Sequence, residues 1–412
     1  MAISNVRHDS ATLSLAERYA AVRAQTEFLC EPLETEDFEA VDYAENLGAA
    51  VRRQANFHDE LAALRIEWTK SFLQIAAFDA FEKIALSESK RLQTELAEAS
   101  LNVAFEITER EISRRFDFSG ELDFAVLALG KLGGRGMDYG SDLDLVLIYD
   151  DKNSGQNIGS PIPELPGSPA IFYARAAEIF ATTLSSFMRE GHLYRVDLRL
   201  RPDGKNGATV LGKNAFFNYL ETRAAIWEWL AYVKLRAVGG NSDLASEIEN
   251  KARLIIHRNA MKAGAGDLKT ETAHVRERLE KERTRSAKEF NIKFGAGGML
   301  DVYFAMRFLQ LRDGVPDDAE NRSTRAMLRR LYENGSLAEG DFLAFDDGYG
   351  FLTRLDHNLR LTVGRTNRLP LANQAAMQTI FARMALDSTN DLLEKLTFHS
   401  LAIRSAFENV LK

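Results

Sequence analysis

The 412-residue chain predicts an α+β fold in which a small mixed sheet is set between two helical regions, with helix dominating overall. Three observations carry this. Apolar residues recur at three- and four-residue spacing from about 45 to 115, and the chain reads helical again from about 212 to its end. Short apolar or alternating runs at 123–130, 142–150 and 192–202 are bounded by glycine, aspartate or proline, as strands are. No proline lies between Pro32 and Pro161, so the front of the chain can carry long helices. The expected division is 1–104, a helical region with a polar tail; 105–240, the sheet-bearing domain; and 241–412, a helical domain.

In chain order, residues 1 to about 40 are polar and irregular, a tail or a short helix. Leu61, Leu64, Ile66, Trp68, Phe72, Ile75 and Phe78 mark the buried side of the first long helices. The run 123-DFAVLALG-130 reads as a buried strand and 142-DLDLVLIYD-150 as a second. Four of the eight prolines crowd Pro161–Pro169, so 151–169 is a loop. A helix follows over 171–191, closed by Gly191, and 192-HLYRVDLRLRP-202 alternates as a strand stopped by Pro202. The helical remainder is broken at Gly239-Gly240, Gly264–Gly266 and Gly295–Gly298, and near Pro316 and Pro370.

Composition narrows the class of protein. With 45% hydrophobic and 27% charged residues the chain can build a sizeable core. Lys and Arg number 52 against 60 Asp and Glu, a net charge of -8, which argues against a nucleic-acid partner. The single cysteine, Cys30, excludes an internal disulfide and any multi-cysteine zinc site. The opening MAISNVRHDS lacks the apolar core of a signal peptide, and no apolar run approaches the roughly 18 residues of a membrane span. A cytoplasmic protein is expected.

The chemistry centres on 128-ALGKLGGRGMDYGSDLDLVLIYDD-151. Side chains alternate faces along a strand, so Asp142 and Asp144 point the same way, about 6–7 Å apart, while Leu143, Leu145 and Leu147 point into the core. Two crowded carboxylates repel, and burial raises the cost unless a cation neutralises them. Magnesium takes hard oxygen ligands of this kind together with substrate phosphates, and metal pairs clamp the two oxygens of a phosphoryl displacement. The alternative is a solvent-exposed strand face or aspartates salt-bridged to arginine. In 195-RVDLRLR-201, alternation places Arg195, Asp197, Arg199 and Arg201 on one face, offering a third carboxylate and cations for a triphosphate. The turn 130-GKLGGRG-136 can present backbone N–H groups to phosphate. It is neither a Walker A loop nor a dinucleotide fingerprint, because no Gly-Lys precedes Ser or Thr and Tyr139 stands where glycine is required. No His-Glu-x-x-His or Gly-x-Ser-x-Gly motif occurs, and His192 reads as structural.

Strand, Gly-Gly, spacer, Ser-Asp-Leu-Asp-Leu and a later strand with a third Asp resemble the nucleotidyltransferase fold of the DNA polymerase beta superfamily. Further blocks, LYRVDLRLRPDGKNG, FNIKFGAGGMLDVYFAMRFLQL and FLTRLDHNLRLTVGRTNRLP, make the chain similar over about 90–370 to glutamine synthetase adenylyltransferase/adenylyl-removing enzymes, of which it holds one catalytic half. The resemblance implies a nucleotidyltransferase module at 105–240 that moves AMP between ATP and a tyrosine of glutamine synthetase, or removes it by phosphorolysis. It implies Asp142, Asp144 and Asp197 as catalytic residues and ligands of Mg2+, two ions in all. Gly133, Gly134, Ser141, Lys131, Arg199 and Arg201 would hold the nucleotide, with ATP as substrate. Glutamine synthetase is the implied partner, with a PII signal protein as a possible second one.

The chain departs from the family pattern at Gly136, where relatives carry Glu, and at Tyr303, where Asp-Ile-Glu-Phe is usual. Lys293 and Asp301 remain for the rim of the site, with backbone capping the expected role of Asp301. The run 276–289 mixes charges as a solvated helix face does. VDLRLRP and VKLRAV look like the removing half, whereas YGSDLDLVL looks like the adding half, so direction stays open. Two other readings stand beside this one: a non-catalytic nucleotide- or protein-binding module of the same fold, and a nucleotidyltransferase acting on a small molecule or RNA.

Overall fold

The acidic strand is the hub of the molecule. In a computed structural model, which describes residues 41–81, 83–116, 118–151, 169–283, 290–317 and 321–412, β2 (Leu143–Tyr149) touches three of the other four strands. It pairs antiparallel with β1 (Phe124–Ala128), Phe124 opposite Tyr149 and Ala128 opposite Leu145. Its other edge is shared in parallel by β3 (Val196–Asp197) at its start and β4 (Val210–Gly212) at its end. On the far side of β1 lies β5 (Arg236–Gly240), antiparallel.

Because neighbouring residues face opposite ways, the sheet buries both sides. Phe124, Val126, Leu143, Leu145 and Leu147 share a core with the helices before the sheet: α1 (Tyr43–Arg52), α2 (Phe57–Ala80), α3 (Leu86–Phe116) and, from beyond β2, α5 (Pro169–Ser185). Ala125, Leu127, Val146 and Ile148 face the later helices α6 (Lys213–Thr222), α7 (Ile226–Tyr232) and α8 (Ser242–Arg283). That second core continues into α9 (Met299–Arg312), α10 (Thr324–Glu333), α11 (Glu339–Val363), α12 (Gln374–Arg383) and α13 (Thr389–Val410). The one-turn helix α4 (Gly130–Gly133) follows β1 directly. None of the described helices is long and apolar enough to cross a membrane.

Several boundaries follow from local chemistry. The carboxylate of Asp42 accepts the Glu45 N–H at 3.0 Å, and Asn56 accepts that of Asp59 at 3.0 Å, which starts α1 and α2. Helix α8 breaks at Gly264, whose φ of 82° no other residue adopts freely.

Other expectations need correction. Ile66 is 48% exposed, because it lies two residues from both Leu64 and Trp68 and a helix turns about 200° in two steps. Helix α5 stops at Ser185 instead of 191. The buried Arg65 guanidinium donates to the carbonyls of Thr183 at 3.1 Å and Ser186 at 2.7 Å, satisfying groups that a further turn would have used. The strand expected over 192–202 shrinks to Val196–Asp197, because the Asp197 carboxylate accepts the Arg199 N–H at 2.9 Å and folds the chain into turns. Arg199 and Arg201 therefore do not continue the face that carries Asp197. Strand β4 lies just ahead of the stretch read as helical, where no element was expected, and β5 breaks that stretch; Gly240 (φ 77°) lets β5 press onto β1, where a Cβ would lie 2.1 Å from the Phe124 carbonyl oxygen. Within the run 276–289, Arg276 is buried on Asp301 rather than solvated. Residues 284–289, most of the proline-rich loop, and the front segment with Cys30 lie outside the described residues.

Candidate active site

The parallel pairing of β2 and β3 sets Asp197 directly beside Asp144, while Asp142 precedes Asp144 by two residues on the same face. Three carboxylates thus gather at one end of the sheet, and each meets a different environment. Burial works against the charge on Asp142, but hydrogen bonds from Arg195 and Arg365 outweigh it and hold the carboxyl below its usual range. Arg195 Nε and Arg365 Nη1 each lie 2.8 Å from Asp142 Oδ1, and Arg365 Nη2 reaches Oδ2. Asp197 is held low chiefly by Arg199, whose Nε stands 2.9 Å from both carboxylate oxygens. The Asp144 carboxylate receives neither a hydrogen bond nor an ion pair from any described residue. Burial first, then the neighbouring Asp197, pushes it up to about 6, with Asp142 adding to the effect and Lys293 and Lys234 opposing it.

The glycine-rich turn serves this arrangement by being thin. Gly130 (φ 57°) backs onto Asp144, and a Cβ there would lie 1.9 Å from Asp144 Oδ2. A Cβ on Gly133 would meet the carbonyl oxygens of Ala128 at 2.8 Å and Lys234 at 2.9 Å; one on Gly134 would lie 2.1 Å from Lys234 Cε. The Gly133 N–H already donates to the Leu129 carbonyl at 2.8 Å. What Gly133 contributes is close approach, not a spare donor.

Of the other residues singled out by sequence, Lys131 is paired with Asp356 at 3.1 Å and with none of the trio. The Ser141 hydroxyl accepts the Asp138 N–H at 3.1 Å while its own N–H donates to the Asp138 carbonyl at 2.9 Å, closing the turn that delivers Asp142. Arg201 is not brought to the carboxylates. Its guanidinium donates to the carbonyls of Leu198 at 2.7 Å, Lys205 at 3.2 Å and Gly207 at 3.0 Å. Asp301 accepts the Gly297 N–H at 2.7 Å, but its main partner is the buried Arg276, a tie invisible in sequence. Tyr303, in place of the expected carboxylate, donates to the Leu230 carbonyl at 2.9 Å. His192 stacks on Phe187, ring centroids 4.5 Å apart.

Sequence reasoning missed the contribution of α11 and the residues after it. His357 stands between Asp138 and Asp79, Arg360 donates to the Tyr139 carbonyl at 2.6 Å, and Arg365 grips Asp142. The loop 138–142 is held from a region more than 200 residues downstream. No local signal announces such contacts.

Among the described residues no group of three or more His, Cys, Asp or Glu side chains is gathered as a ready metal site. Two of the three carboxylates are turned toward arginines. The donor set is nevertheless all carboxylate oxygen, and the carboxylate of its most buried member, Asp144, has no hydrogen-bonded or ion-paired partner, a combination that suits a hard divalent cation. The trio fits magnesium once the arginines release it.

A small mixed sheet flanked by helices, with three aspartates on adjoining strands behind a glycine turn, defines an α+β module of nucleotidyltransferase type. Comparison with known proteins agrees. A family model described as glutamate-ammonia ligase adenylyltransferase matches residues 14–251, and one described as GlnD PII-uridylyltransferase matches residues 267–411. The chain belongs to the glutamate-ammonia ligase adenylyltransferase family. It is 27% identical to a bifunctional glutamine synthetase adenylyltransferase/adenylyl-removing enzyme of Aromatoleum aromaticum, across 98% of this chain and 43% of that protein. Proteins of the same description from Bordetella bronchiseptica (31% identity, 62% of this chain, 26% of the relative) and Streptomyces avermitilis (26%, 84%, 34%) are also similar. The chain spans less than half the length of these relatives.

Proposed function

We propose that the chain is a magnesium-dependent nucleotidyltransferase that moves AMP between ATP and a tyrosine hydroxyl of glutamine synthetase, or removes it by phosphorolysis. One observation carries the reading: Asp144, partly buried and with no hydrogen-bonded or ion-paired partner on its carboxylate, lies in register with Asp197. The names of the relatives support the substrate, and the absence of a membrane-crossing helix among the described residues agrees with action in the cytoplasm.

Asp142, Asp144 and Asp197 would hold the ions, which when bound neutralise charge at the attacking and leaving oxygens. In the adding direction the tyrosyl oxygen bonds to the α-phosphorus, the α–β phosphoanhydride bond breaks, and pyrophosphate leaves. Asp197 Oδ2 takes the tyrosine proton once Arg199 swings away. In the removing direction inorganic phosphate attacks the same phosphorus, ADP forms, and the tyrosine oxygen departs and is protonated. Gly130, Gly133 and Gly134 keep the wall beside the triphosphate thin. Lys131, Arg199, Arg195 and Arg365 are the cations within reach of phosphate oxygens, and Arg365 and Arg195 exchange the Asp142 carboxylate for them. Ser141 fixes the turn that sets the position of Asp142.

The test is incubation with radiolabelled ATP, Mg2+ and glutamine synthetase, in parallel with the double variant Asp142→Asn, Asp144→Asn. Label on the synthetase, or AMP released from adenylylated synthetase as ADP when phosphate is added, lost in the variant, is the expected outcome. Neither activity in the unmodified chain would leave a non-catalytic binding module. Adding PII protein to the same assay tests it as a partner, with a change in rate expected.

A further inference from the structure

We infer that Lys234 is a polyphosphate-binding residue of this site: its ammonium, set behind the Gly133-Gly134 turn, takes a non-bridging oxygen of the triphosphate or of the pyrophosphate derived from it. The inference rests on the nucleotidyltransferase reading and gives a role to a residue of the VKLRAV stretch that had none from sequence.

Lys234 lies between α7 and β5 and is 9% exposed. Among the described residues nothing hydrogen-bonds its ammonium or forms an ion pair with it. A buried ammonium without a partner is costly, and a fold retains one where a ligand completes it. Burial first, then Arg307, pushes it down to about 7, while Asp317 and Asp144 pull the other way. A structural role would require an anchor. The carboxylate that acts on Lys234 most is Asp317, whose Oδ1 already accepts from Arg307 at 3.4 Å and Gln310 at 3.2 Å; its Oδ2 has no hydrogen-bond partner, so a static Lys234–Asp317 pair is the alternative to be separated.

Placement favours the ligand. The end of the side chain runs along Gly134, so that a Cβ there would meet Cε at 2.1 Å and Nζ at 2.3 Å. Gly134 is thereby explained: any side chain at that position would expel the lysine. Lys293 and Lys234 both act on Asp144, and Lys131 acts on each of these two lysines. Lys131 is paired with Asp356, whereas the Lys293 ammonium has no hydrogen bond or ion pair among the described residues and lies over the Phe294 ring, 5.3 Å from its centroid. Two ammonium groups and a carboxylate that are close enough to act on one another but form no ion pair suit a polyanion carrying divalent cations; they do not suit a neutral ligand.

The experiment is calorimetric titration of the whole chain and of Lys234→Met with Mg-ATP and with adenosine. The variant should bind Mg-ATP about 10- to 100-fold more weakly, the loss of one charge-assisted contact, and adenosine within about twofold. A folded variant that binds Mg-ATP as the unmodified chain does would overturn the inference and leave the nucleotidyltransferase reading intact. An unmodified chain that does not bind Mg-ATP would remove both. Should Lys234→Met fail to fold, the unmodified chain is treated with pyridoxal 5′-diphospho-5′-adenosine, whose aldehyde sits where the outer phosphate does, then reduced with borohydride and mapped by mass spectrometry. An adduct on Lys234 that Mg-ATP suppresses supports the assignment; adducts confined to other lysines refute it in favour of the static pair with Asp317.

Discussion

Replacing His357 by glutamine removes the charge at the centre of the network that holds the 138–142 loop. The imidazole is 3% exposed, with Nδ1 2.9 Å from Asp138 Oδ1 and Nε2 3.1 Å from Asp79 Oδ1. Burial disfavours its charge, but the hydrogen bonds and charges of Asp138 and Asp79 outweigh this and carry it from 6.5 up to about 9. The folded protein then holds a proton that the unfolded chain releases above about 6.5, so stability from this group is complete below that pH and is lost as pH rises through about 9. At about 1.4 kcal/mol per pH unit, the difference between 6.5 and about 9 amounts to roughly 3 kcal/mol. Lys234 titrates in the opposite sense, since a lysine lowered from 10.5 to about 7 adds stability as pH rises through that window. The informative quantity is therefore the difference between the unmodified chain and His357→Gln, measured by urea unfolding from pH 6 to 9.5. At pH 6 the variant should be about 3–5 kcal/mol less stable, because two buried carboxylates lose their shared cation. The gap should shrink by about 3 kcal/mol by pH 9.5. A gap independent of pH would show that folding does not raise the pKa of His357 and would refute the argument.

Three further outcomes follow from the same geometry. Asp144→Asn should stabilise the metal-free chain above pH 6 by on the order of 2–3 kcal/mol, because a carboxyl raised to about 6 is held at a cost when ionised, and should reduce nucleotidyl transfer at least about 100-fold; thermal melts and the radiolabel assay read the two effects. Arg365→Ala should change stability by no more than about 1 kcal/mol, since the pair with Asp142 is half exposed, yet Mg2+ should bind several-fold more tightly with the competing guanidinium gone, as measured by calorimetry. Gly130→Ala should cost at least about 2 kcal/mol in urea unfolding and abolish transfer, because the new methyl group enters the space of Asp144 at a backbone angle alanine resists.

How much of this could be read from sequence depended on the range of the interactions involved. Strand β1 was legible as a short apolar run closed by glycine and β2 as an apolar run after a glycine turn, both local signals, and the aspartates stood out against the apolar residues of β2. Strands β4 and β5, three and five residues long, carry no pattern of their own and exist because β2 and β1 offer them edges. The strand expected at 192–202 failed for a local reason that outranked alternation, the Asp197 carboxylate folding back on the Arg199 N–H. The glycines were legible as a phosphate turn, but their service to Asp144 and Lys234 appears only when those side chains are seen against them. Arg365 is beyond the reach of periodicity, since it meets Asp142 across 223 residues of chain.

The arginines around the trio give its chemistry a direction. Asp142 takes two guanidinium groups and Asp197 one, whereas Asp144, the carboxylate best shielded from water, takes none. If the acidic groups were only salt-bridged surface residues, the most buried one would be the first to be paired, because an uncompensated charge costs most where water is scarce. The observed order is the reverse. The exposed partners of Asp142 and Asp197 are the ones that can leave cheaply, since a half-exposed guanidinium recovers its hydration when it lets go. A polyphosphate arriving with divalent cations offers the carboxylates a replacement and the arginines a new anion at the same moment, so neither set is left bare. Asp144 has nothing to exchange and can only gain. That asymmetry separates a site prepared for metal and nucleotide from a patch of surface ion pairs.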